Sequence, residues 1–144
     1  MRITKHTDYA LRILLFLAVR PGERVATQSI ADAYGISLNH LQKITRQLGE
    51  LGLLSLHRGA GGGVELACDP DEISVGAVMR ALDNRDALIE CFDAEVDECV
   101  VSPSCGLKPA LRSAQEAFYA HLDPITIGAV LKRRGAKLRD LTGG

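Results

Sequence analysis

Apolar side chains recur every three or four residues in three stretches of the chain, and this period predicts amphipathic helices. The first stretch covers residues 3–19, where Tyr9, Ile13 and Leu17 are spaced by four. The second runs from residue 37 to residue 51. The third begins at residue 107, and its apolar positions are Leu107, Leu111, Ala114, Phe118 and Leu122. The pattern therefore predicts a mainly α-helical protein.

Turn-forming and capping residues divide the first half of the chain into a helix-turn-helix. Arg20-Pro21-Gly22 ends the first helix. Thr27 is expected to cap a short helix over residues 28–34, and Gly35 suits its C-terminus. Ser37 is expected to cap a further helix that stops at Gly52. Two helices joined by a short turn containing glycine are the layout of a helix-turn-helix.

A β-hairpin is expected directly after this unit. Residues 53–58 and 64–67 have strand-like patterns, and the glycine-rich segment 59–63 lies between them. A phosphate-binding loop is the alternative for such glycines, but it requires Gly-Lys-Ser/Thr or a following helix, and here a strand follows. The hairpin is therefore predicted to be the wing of a winged helix-turn-helix.

The sequence divides into three parts. Residues 1–68 form the DNA-binding head. Residues 69–106 hold a short helix, which Ser74 is expected to cap and which runs to Leu82, and a long loop that carries three cysteines. Residues 107–144 form the long helix, a short helix capped by Thr126 and reaching about residue 133, and a tail expected to be mobile. The apolar stripe of the long helix exceeds what one small head requires, so this helix is expected to pair two copies into a homodimer.

Length and hydropathy argue against a membrane protein. The chain has 144 residues, enough for one compact domain, and 47% of them are hydrophobic. No uncharged apolar run is long enough to cross a bilayer, so no membrane span is expected. Asp8 and Arg12 interrupt the apolar N-terminal segment, which also lacks a clear cleavage site for a signal peptide. A cytoplasmic location is therefore expected.

The net charge of −1 conceals a strong asymmetry along the chain. Residues 1–67 contain eight Lys and Arg against five Asp and Glu, whereas residues 68–106 contain two against ten. Residues 107–144 contain seven against three. Positive charge is thus grouped on the head, where it suits nucleic acid, and the acidic middle is expected to face away from DNA.

The predicted head supplies a set of candidate DNA contacts. The first residues of the second helix of a helix-turn-helix enter the major groove; here these are Ser37, Leu38, Asn39, His40, Gln42 and Lys43. Asn and Gln pair with adenine, so an operator containing A·T pairs is expected. Phosphate contacts are expected from Thr27, Gln28 and Arg46. Arg58 at the root of the wing and Gly61 at its tip are expected at the neighbouring minor groove.

The spacing Cys91-x7-Cys99-x5-Cys105 indicates a metal site, since thiolates bind soft metals and iron–sulfur clusters. Three cysteines leave one position open, and the candidates for it are Cys68, a carboxylate, a histidine or an exogenous molecule. Cys68 follows an apolar strand and is expected to be a buried structural thiol. A zinc site and a thiol switch remain alternatives. No set of nucleophile, base and orienting residue was found, so an enzyme is not expected.

Four segments together resemble a known family: MRITKHTDYALRILLFLA, ISLNHLQKITRQLGELGLL, RGAGGGVELA and the frame ECF…C…PSC. They are similar to the iron–sulfur winged-helix repressors typified by the nitric-oxide sensor NsrR and the cluster-biogenesis regulator IscR. The resemblance extends from Met1 to about Arg134. It implies a homodimer in which Cys91, Cys99 and Cys105 hold an iron–sulfur cluster, 4Fe-4S in preference to 2Fe-2S.

The fourth ligand separates the branches of that family. IscR-type proteins have a histidine three residues after the third cysteine, where this chain has Lys108. NsrR-type proteins use an acidic residue on the first helix of the partner subunit, and the matching position here is Asp8. Arg12, one helical turn further, is then a candidate to pair with Asp8 once the cluster is lost.

The resemblance to the NsrR type implies a repressor that binds a palindromic operator in double-stranded DNA. Nitric oxide is the expected signal, and damage to the cluster is expected to release the DNA. Two alternatives remain. One is a regulator of the same family that senses iron supply, cluster supply or redox state, and the other is an electron-transfer protein that uses the cluster.

Overall fold

The computed structural model describes residues 3–83, 89–132 and 134–143. Within these residues the chain forms seven α-helices and one antiparallel two-stranded sheet. The elements are α1 (Lys5–Ala18), α2 (Thr27–Tyr34), α3 (Leu38–Glu50), β1 (Leu54–His57), β2 (Gly63–Leu66), α4 (Val75–Asp83), α5 (Leu107–Leu122), α6 (Ile127–Leu131) and α7 (Gly135–Leu141). The prediction of a mainly α-helical winged helix-turn-helix is confirmed.

Helix α1 lies at the centre of the hydrophobic core. It packs against α3, α4, α6 and the hairpin. Its apolar face has the predicted period, because Ala10, Ile13 and Leu14 are fully buried and Leu17 nearly so. None of the described helices combines the length and apolar character needed to cross a membrane.

Hydroxyl side chains cap three helices where the sequence predicted them. The Ser37 hydroxyl accepts a hydrogen bond from the backbone N–H of His40 at 3.4 Å. Ser74 caps α4 and Thr126 caps α6 in the same way, each over 3.1 Å. Such caps satisfy N–H groups that have no partner inside the helix.

The prediction that Thr27 caps α2 is wrong. Thr27 is the first helical residue, and the capping position is Ala26, which makes no side-chain hydrogen bond. The cause is the neighbouring Val25, whose backbone exchanges two hydrogen bonds with Val64 of β2, at 2.9 and 2.7 Å. This short bridge fixes the extended chain up to Ala26, so the helix begins one residue earlier than predicted. At the other end of α2, Gly35 has the left-handed conformation expected of a C-terminal glycine.

The hairpin pairs Leu54 with Leu66 and His57 with Gly63. The first strand is shorter than predicted and leaves Arg58 in the turn, and the second has the predicted length but begins one residue earlier. Gly63 is required by close packing, because a Cβ atom there would lie 2.5 Å from the carbonyl oxygen of Val25. The same glycine thus allows the bridge that positions the start of α2.

The expectation of a mobile tail is corrected by α7. Its neighbour Thr142 is bound by the buried guanidinium of Arg20, which donates to the Thr142 carbonyl and hydroxyl oxygens, each at 3.0 Å. Arg20 also donates to the Phe16 carbonyl at 3.1 Å and lies 3.8 Å from the centre of the Phe16 ring. Arg139 of α7 donates to the carbonyl of Val19 at 3.2 Å. These two arginines fasten α7 to the C-terminal end of α1.

Most of the surface of helix α5 is exposed to solvent. Among its 16 residues only Tyr119 is buried. The predicted apolar stripe is partly uncovered, and Leu107 is 62% exposed. Arg80 of α4 holds the inner face of α5: its guanidinium donates to both carboxylate oxygens of Glu116 at 2.8 Å and lies over the Tyr119 ring.

Candidate nucleic-acid interface and cysteine loop

An open cleft of about 810 Å³ lies between the start of α2, the helix α3 and the wing. Six of the residues predicted to contact DNA line it: Thr27, Gln28, Leu38, Gln42, Arg46 and Arg58. The structure thus brings residues from three separate elements to one concave surface. Leu56 and His57 of β1 also line this cleft and were not among the predicted contacts. The alternation of strand residues assigns these two neighbours to opposite faces of the hairpin, so it could have indicated only one of them.

The remaining predicted contacts lie beside the cleft. Asn39, His40 and Lys43 are exposed on the first two turns of α3, and Gly61 is exposed at the tip of the wing. Ser37 is exposed as well, but its hydroxyl is already used to cap α3. The first turns of α3 therefore present amide, imidazole and ammonium groups to solvent.

Three polar side chains that line the cleft are each bound to a nearby carboxylate. Gln28 donates to Asp32 at 2.7 Å, and Arg46 donates to Glu50 at 3.1 Å. His57 is hydrogen-bonded to Glu65 across the hairpin at 2.5 Å. Each side chain must release its carboxylate before it can bind a phosphate through the same atoms.

The first two turns of α1 contact the recognition helix α3 directly. His6 is hydrogen-bonded to Gln47 at 2.6 Å. The Tyr9 ring packs edge-on against the ring of His40, with 5.8 Å between their centres. Any displacement of this end of α1 therefore acts on the helix predicted to enter the major groove.

Asp8 lies between these two contacts and is bound to Arg12. The Arg12 guanidinium donates to both carboxylate oxygens of Asp8, at 3.1 and 2.7 Å. This hydrogen bond is the main reason why the pKa of Arg12 is raised. The Arg12 guanidinium also lies 5.7 Å from the ring centre of Tyr9 and 5.9 Å from that of Tyr34. Both side chains of the ion pair are somewhat more than 40% exposed, so Asp8 is accessible to a second molecule.

The three cysteines of the loop are free thiols at its accessible surface. Cys91 lies in a short 3-10 turn, Glu90–Phe92, and Cys105 directly follows another, Ser102–Ser104. Cys99 is exposed, and the other two are partly exposed. Over residues 3–83, 89–132 and 134–143, no three Cys, His, Asp or Glu side chains converge as they would around a metal ion. Three thiols are a donor set whose chemistry suits an iron–sulfur cluster.

Lys108 links Asp97 and Ser102, which lie on either side of Cys99. Its ammonium group donates to Asp97 at 3.2 Å and to the Ser102 hydroxyl at 2.8 Å. Ser102 in turn donates to Asp97, and this bond, followed by the one from Lys108, lowers the pKa of the Asp97 carboxyl. Lys108 stands at the position where IscR-type proteins are expected to have a histidine. Its side chain is engaged in hydrogen bonds within the cysteine loop.

Cys68 differs from the other three cysteines because it packs against the hydrophobic core. Burial raises the pKa of its thiol, and the carboxylates of Glu72 and Asp69 raise it further. Cys68 is only partly buried, however, so the structure meets the prediction of a buried structural thiol in part.

A hairpin wing, a recognition helix with exposed polar residues on its first turns and a cleft between them define a winged helix-turn-helix DNA-binding protein. The family model Rrf2, described as "Iron-dependent Transcriptional regulator", matches residues 3–133. The chain belongs to this family of transcriptional regulators, which confirms that it is a regulator and not an enzyme.

Similar proteins cover almost the whole chain. It is 46% identical to the HTH-type transcriptional regulator NsrR of Geobacillus kaustophilus, with 98% of this chain and 96% of the relative aligned. The HTH-type transcriptional repressor NsrR of Streptomyces coelicolor is 43% identical, with 88% of this chain and 86% of the relative aligned. The oxidized form of Staphylococcus aureus CymR has a similar structure, with a TM-score of 0.72 and 26% identity over 92% of this chain and 97% of that one.

Proposed function

We propose that this protein is a homodimeric repressor that holds an iron–sulfur cluster, 4Fe-4S in preference to 2Fe-2S, and releases its operator when nitric oxide damages the cluster. The observation that carries the proposal is the position of Asp8 on α1. It lies between His6 and Tyr9, both of which contact the recognition helix. A ligand bound by Asp8 therefore acts on the helix that enters the major groove.

The proposed DNA contacts follow from the geometry of the head. Asn39, His40, Gln42 and Lys43 meet base edges in the major groove, together with Leu38. Arg46 and the start of α2 bind phosphates, and the wing places Arg58 and Gly61 at the adjacent minor groove. Two heads related by a two-fold axis require a palindromic operator, with half-sites about one helical turn apart.

The proposed cluster ligands are Cys91, Cys99 and Cys105 of one subunit and Asp8 of the other. When bound, the cluster supplies iron that nitric oxide can attack. Ligation of iron by Asp8 would weaken its pair with Arg12, whose guanidinium also lies beside the rings of Tyr9 and Tyr34. A change at this ion pair is thus the route by which α1 would respond to the cysteine loop.

The proposed dimer uses α5. This helix is attached to α4 on one side, and Leu107 is exposed at its start. Pairing of the two α5 helices brings each cysteine loop, which directly precedes α5 in the chain, close to the dimer axis. Such a position suits a ligand supplied by the second subunit.

The test combines three readouts on one anaerobic sample: visible absorbance, binding to an operator duplex and sedimentation. Stepwise nitric oxide is expected to bleach the absorbance and release the duplex in parallel, while the protein remains a dimer. Asp8→Ala is expected to fold normally but to lose iron faster or to lose the link between bleaching and release. A colourless protein that binds DNA regardless of nitric oxide would contradict the proposal and favour zinc or thiol chemistry at the cysteines.

A parallel titration with an iron chelator separates nitric-oxide sensing from the closest alternative. A regulator of iron or cluster supply is expected to release the DNA whenever the chelator removes iron, and to respond to nitric oxide only at a large excess over the cluster. A nitric-oxide sensor releases DNA within the time of mixing with nitric oxide, long before the chelator acts.

A further inference from the structure

The carboxylate of Asp83, at the end of α4, joins two other helices. Its Oδ1 accepts a hydrogen bond from the Thr7 hydroxyl of α1 at 2.6 Å. Its Oδ2 accepts one from the Tyr119 hydroxyl of α5 at 3.2 Å. Thr7 is fully buried and Tyr119 is 9% exposed, so both hydroxyl groups depend on protein partners.

This junction is more specific than ordinary core packing. Hydrogen bonds to a carboxylate are stronger and more directional than contacts between apolar groups. The Tyr119 ring is also held by the guanidinium of Arg80, which lies 4.8 Å from the ring centre. Tyr119 is thereby fixed on α5 at its ring and at its hydroxyl.

The residues next to this junction connect it to the recognition helix. Thr7 is next in the chain to His6, whose side chain binds Gln47 of the recognition helix. The first turn of α1 is therefore attached to α5 through Thr7 and to α3 through His6. A rotation of α5 against the head has to break or bend one of these bonds.

We infer that Asp83 is a positioning residue that sets the orientation of the recognition helix relative to α5, and thereby selects the spacing between operator half-sites. The inference rests on the proposed function in one respect, the pairing of two subunits through α5. Asp83 contacts no DNA and no metal in this role. It determines how rigidly the two heads of a dimer are held apart, while each head keeps its own contacts with bases.

The test uses palindromic duplexes that the wild-type protein selects from a random pool. Binding to these duplexes is compared with binding to copies in which base pairs are inserted or removed between the half-sites. A duplex with a single half-site measures the head alone. The wild-type protein is expected to prefer the selected spacing by about tenfold or more, because half-sites on a rigid dimer tolerate little error. In Asp83→Ala this preference is expected to fall to about twofold, with single-half-site binding almost unchanged.

Milder variants guard against a loss of folding. Tyr119→Phe removes only the hydroxyl and leaves the ring beside Arg80, and Asp83→Asn keeps the shape and one acceptor. The first is expected to weaken the spacing preference, and the second to restore much of what Asp83→Ala loses. Asp140→Ala, which removes an exposed aspartate on α7, is the matched control and is expected to behave as the wild type.

Thr7→Val and Tyr119→Phe together complete a double-mutant cycle. Since both hydroxyls act through one carboxylate, the double variant is expected to lose little more preference than either single variant. The inference is overturned if folded Asp83→Ala and Tyr119→Phe keep the wild-type preference, or if they lose affinity equally for all duplexes, including the single half-site. If the wild-type protein is a monomer or shows no spacing preference, the pairing of two subunits in the proposed function is wrong. If the wild-type protein shows the preference and the variants keep it, only the role of Asp83 is wrong.

Discussion

Both carboxylate oxygens of Asp8 are occupied by the guanidinium of Arg12, one turn further along α1. In the structure, the proposed fourth ligand Asp8 is therefore paired with Arg12. In the proposed dimer, iron and Arg12 would bind the same two oxygens, so the guanidinium reduces the negative charge that Asp8 offers to iron. Arg12 is therefore expected to compete with the proposed cluster for Asp8.

Removal of this competitor is expected to strengthen the proposed iron site. In Arg12→Gln, we expect iron to be released to a chelator more slowly, by up to about fivefold, since a partly exposed ion pair contributes little more than that. The measurement is the decay of visible absorbance under anaerobic conditions. Arg24→Gln, which removes an exposed arginine of the same head, serves as the control. Equal rates in Arg12→Gln and the wild type would show that the pair does not compete.

The pair between Arg46 and Glu50 leads to a prediction about DNA affinity. In Glu50→Gln the Arg46 guanidinium is freed for phosphate, and binding is expected to tighten by up to about fivefold at low salt. Fluorescence anisotropy over a range of salt concentrations measures it. Glu72→Gln removes the same charge outside the head, and the effect of Glu50→Gln is expected to exceed that of this control. If the two variants gain equally, only the net charge matters.

Lys108 is expected to preserve the conformation of the loop before any metal binds. In Lys108→Met the bonds to Asp97 and Ser102 are lost, and amide hydrogen exchange between residues 97 and 105 is expected to rise by about tenfold. Exchange followed by mass spectrometry gives this value for each peptide. Lys137→Met, on α7, should leave the loop unchanged. Unaltered exchange in the Lys108 variant would mean that the turn at Ser102–Ser104 holds the loop without it.

The environment of Cys68 predicts a dependence on pH. Because its pKa is raised in the folded protein, its thiolate forms only above the pH at which an unfolded cysteine ionises. Any stability that comes from burying the neutral thiol is present at lower pH and is lost as the pH rises through this range. We expect iodoacetamide to modify Cys68 last among the four cysteines of the apo protein, and Glu72→Gln to lower the pH required. Peptide mass spectrometry at a series of pH values tests both statements, and early modification of Cys68 would contradict them.

The contact between Arg20 and Thr142 is expected to stabilise the whole fold. Arg20→Met keeps an apolar side chain against Phe16 but removes three hydrogen bonds, and it should lower the free energy of unfolding by about 2 kcal/mol. Thr142→Val should lower it by about 1 kcal/mol. Urea denaturation measures both, with the exposed Lys137→Ala as a control. A change below about 0.5 kcal/mol in Arg20→Met would mean that α7 contributes nothing to the head.

Local patterns in the sequence were sufficient to predict α1, α3, α5 and the hairpin, since periodicity and capping residues act over a few neighbouring positions. The cap at Ser37 was predicted in this way, whereas the start of α2 was not, because it depends on the bridge between Val25 and Val64. Helix α7 was missed because it is short and its anchor, Arg20, lies 122 residues away from Thr142.

The same limit applies to the candidate site. The exposed residues of α3 follow from the helix-turn-helix pattern, so the cleft could be largely predicted. The carboxylates that bind Gln28 and Arg46 lie four residues away on the same helices and are visible in the sequence. The links from Asp83 to Thr7 and Tyr119 span 76 and 36 residues, and no local rule indicates them.

The carboxylates of Asp32, Glu50 and Glu65 also affect how the proposed repressor finds its operator. Sequence-independent attraction to DNA comes from cations that neutralise phosphates, and these three acids reduce it on the face that meets the duplex. A head that binds random DNA weakly dissociates from it quickly and samples more of the chromosome in a given time. The acids beside the cleft thus shift the balance of binding from sequence-independent attraction towards base contacts at the operator.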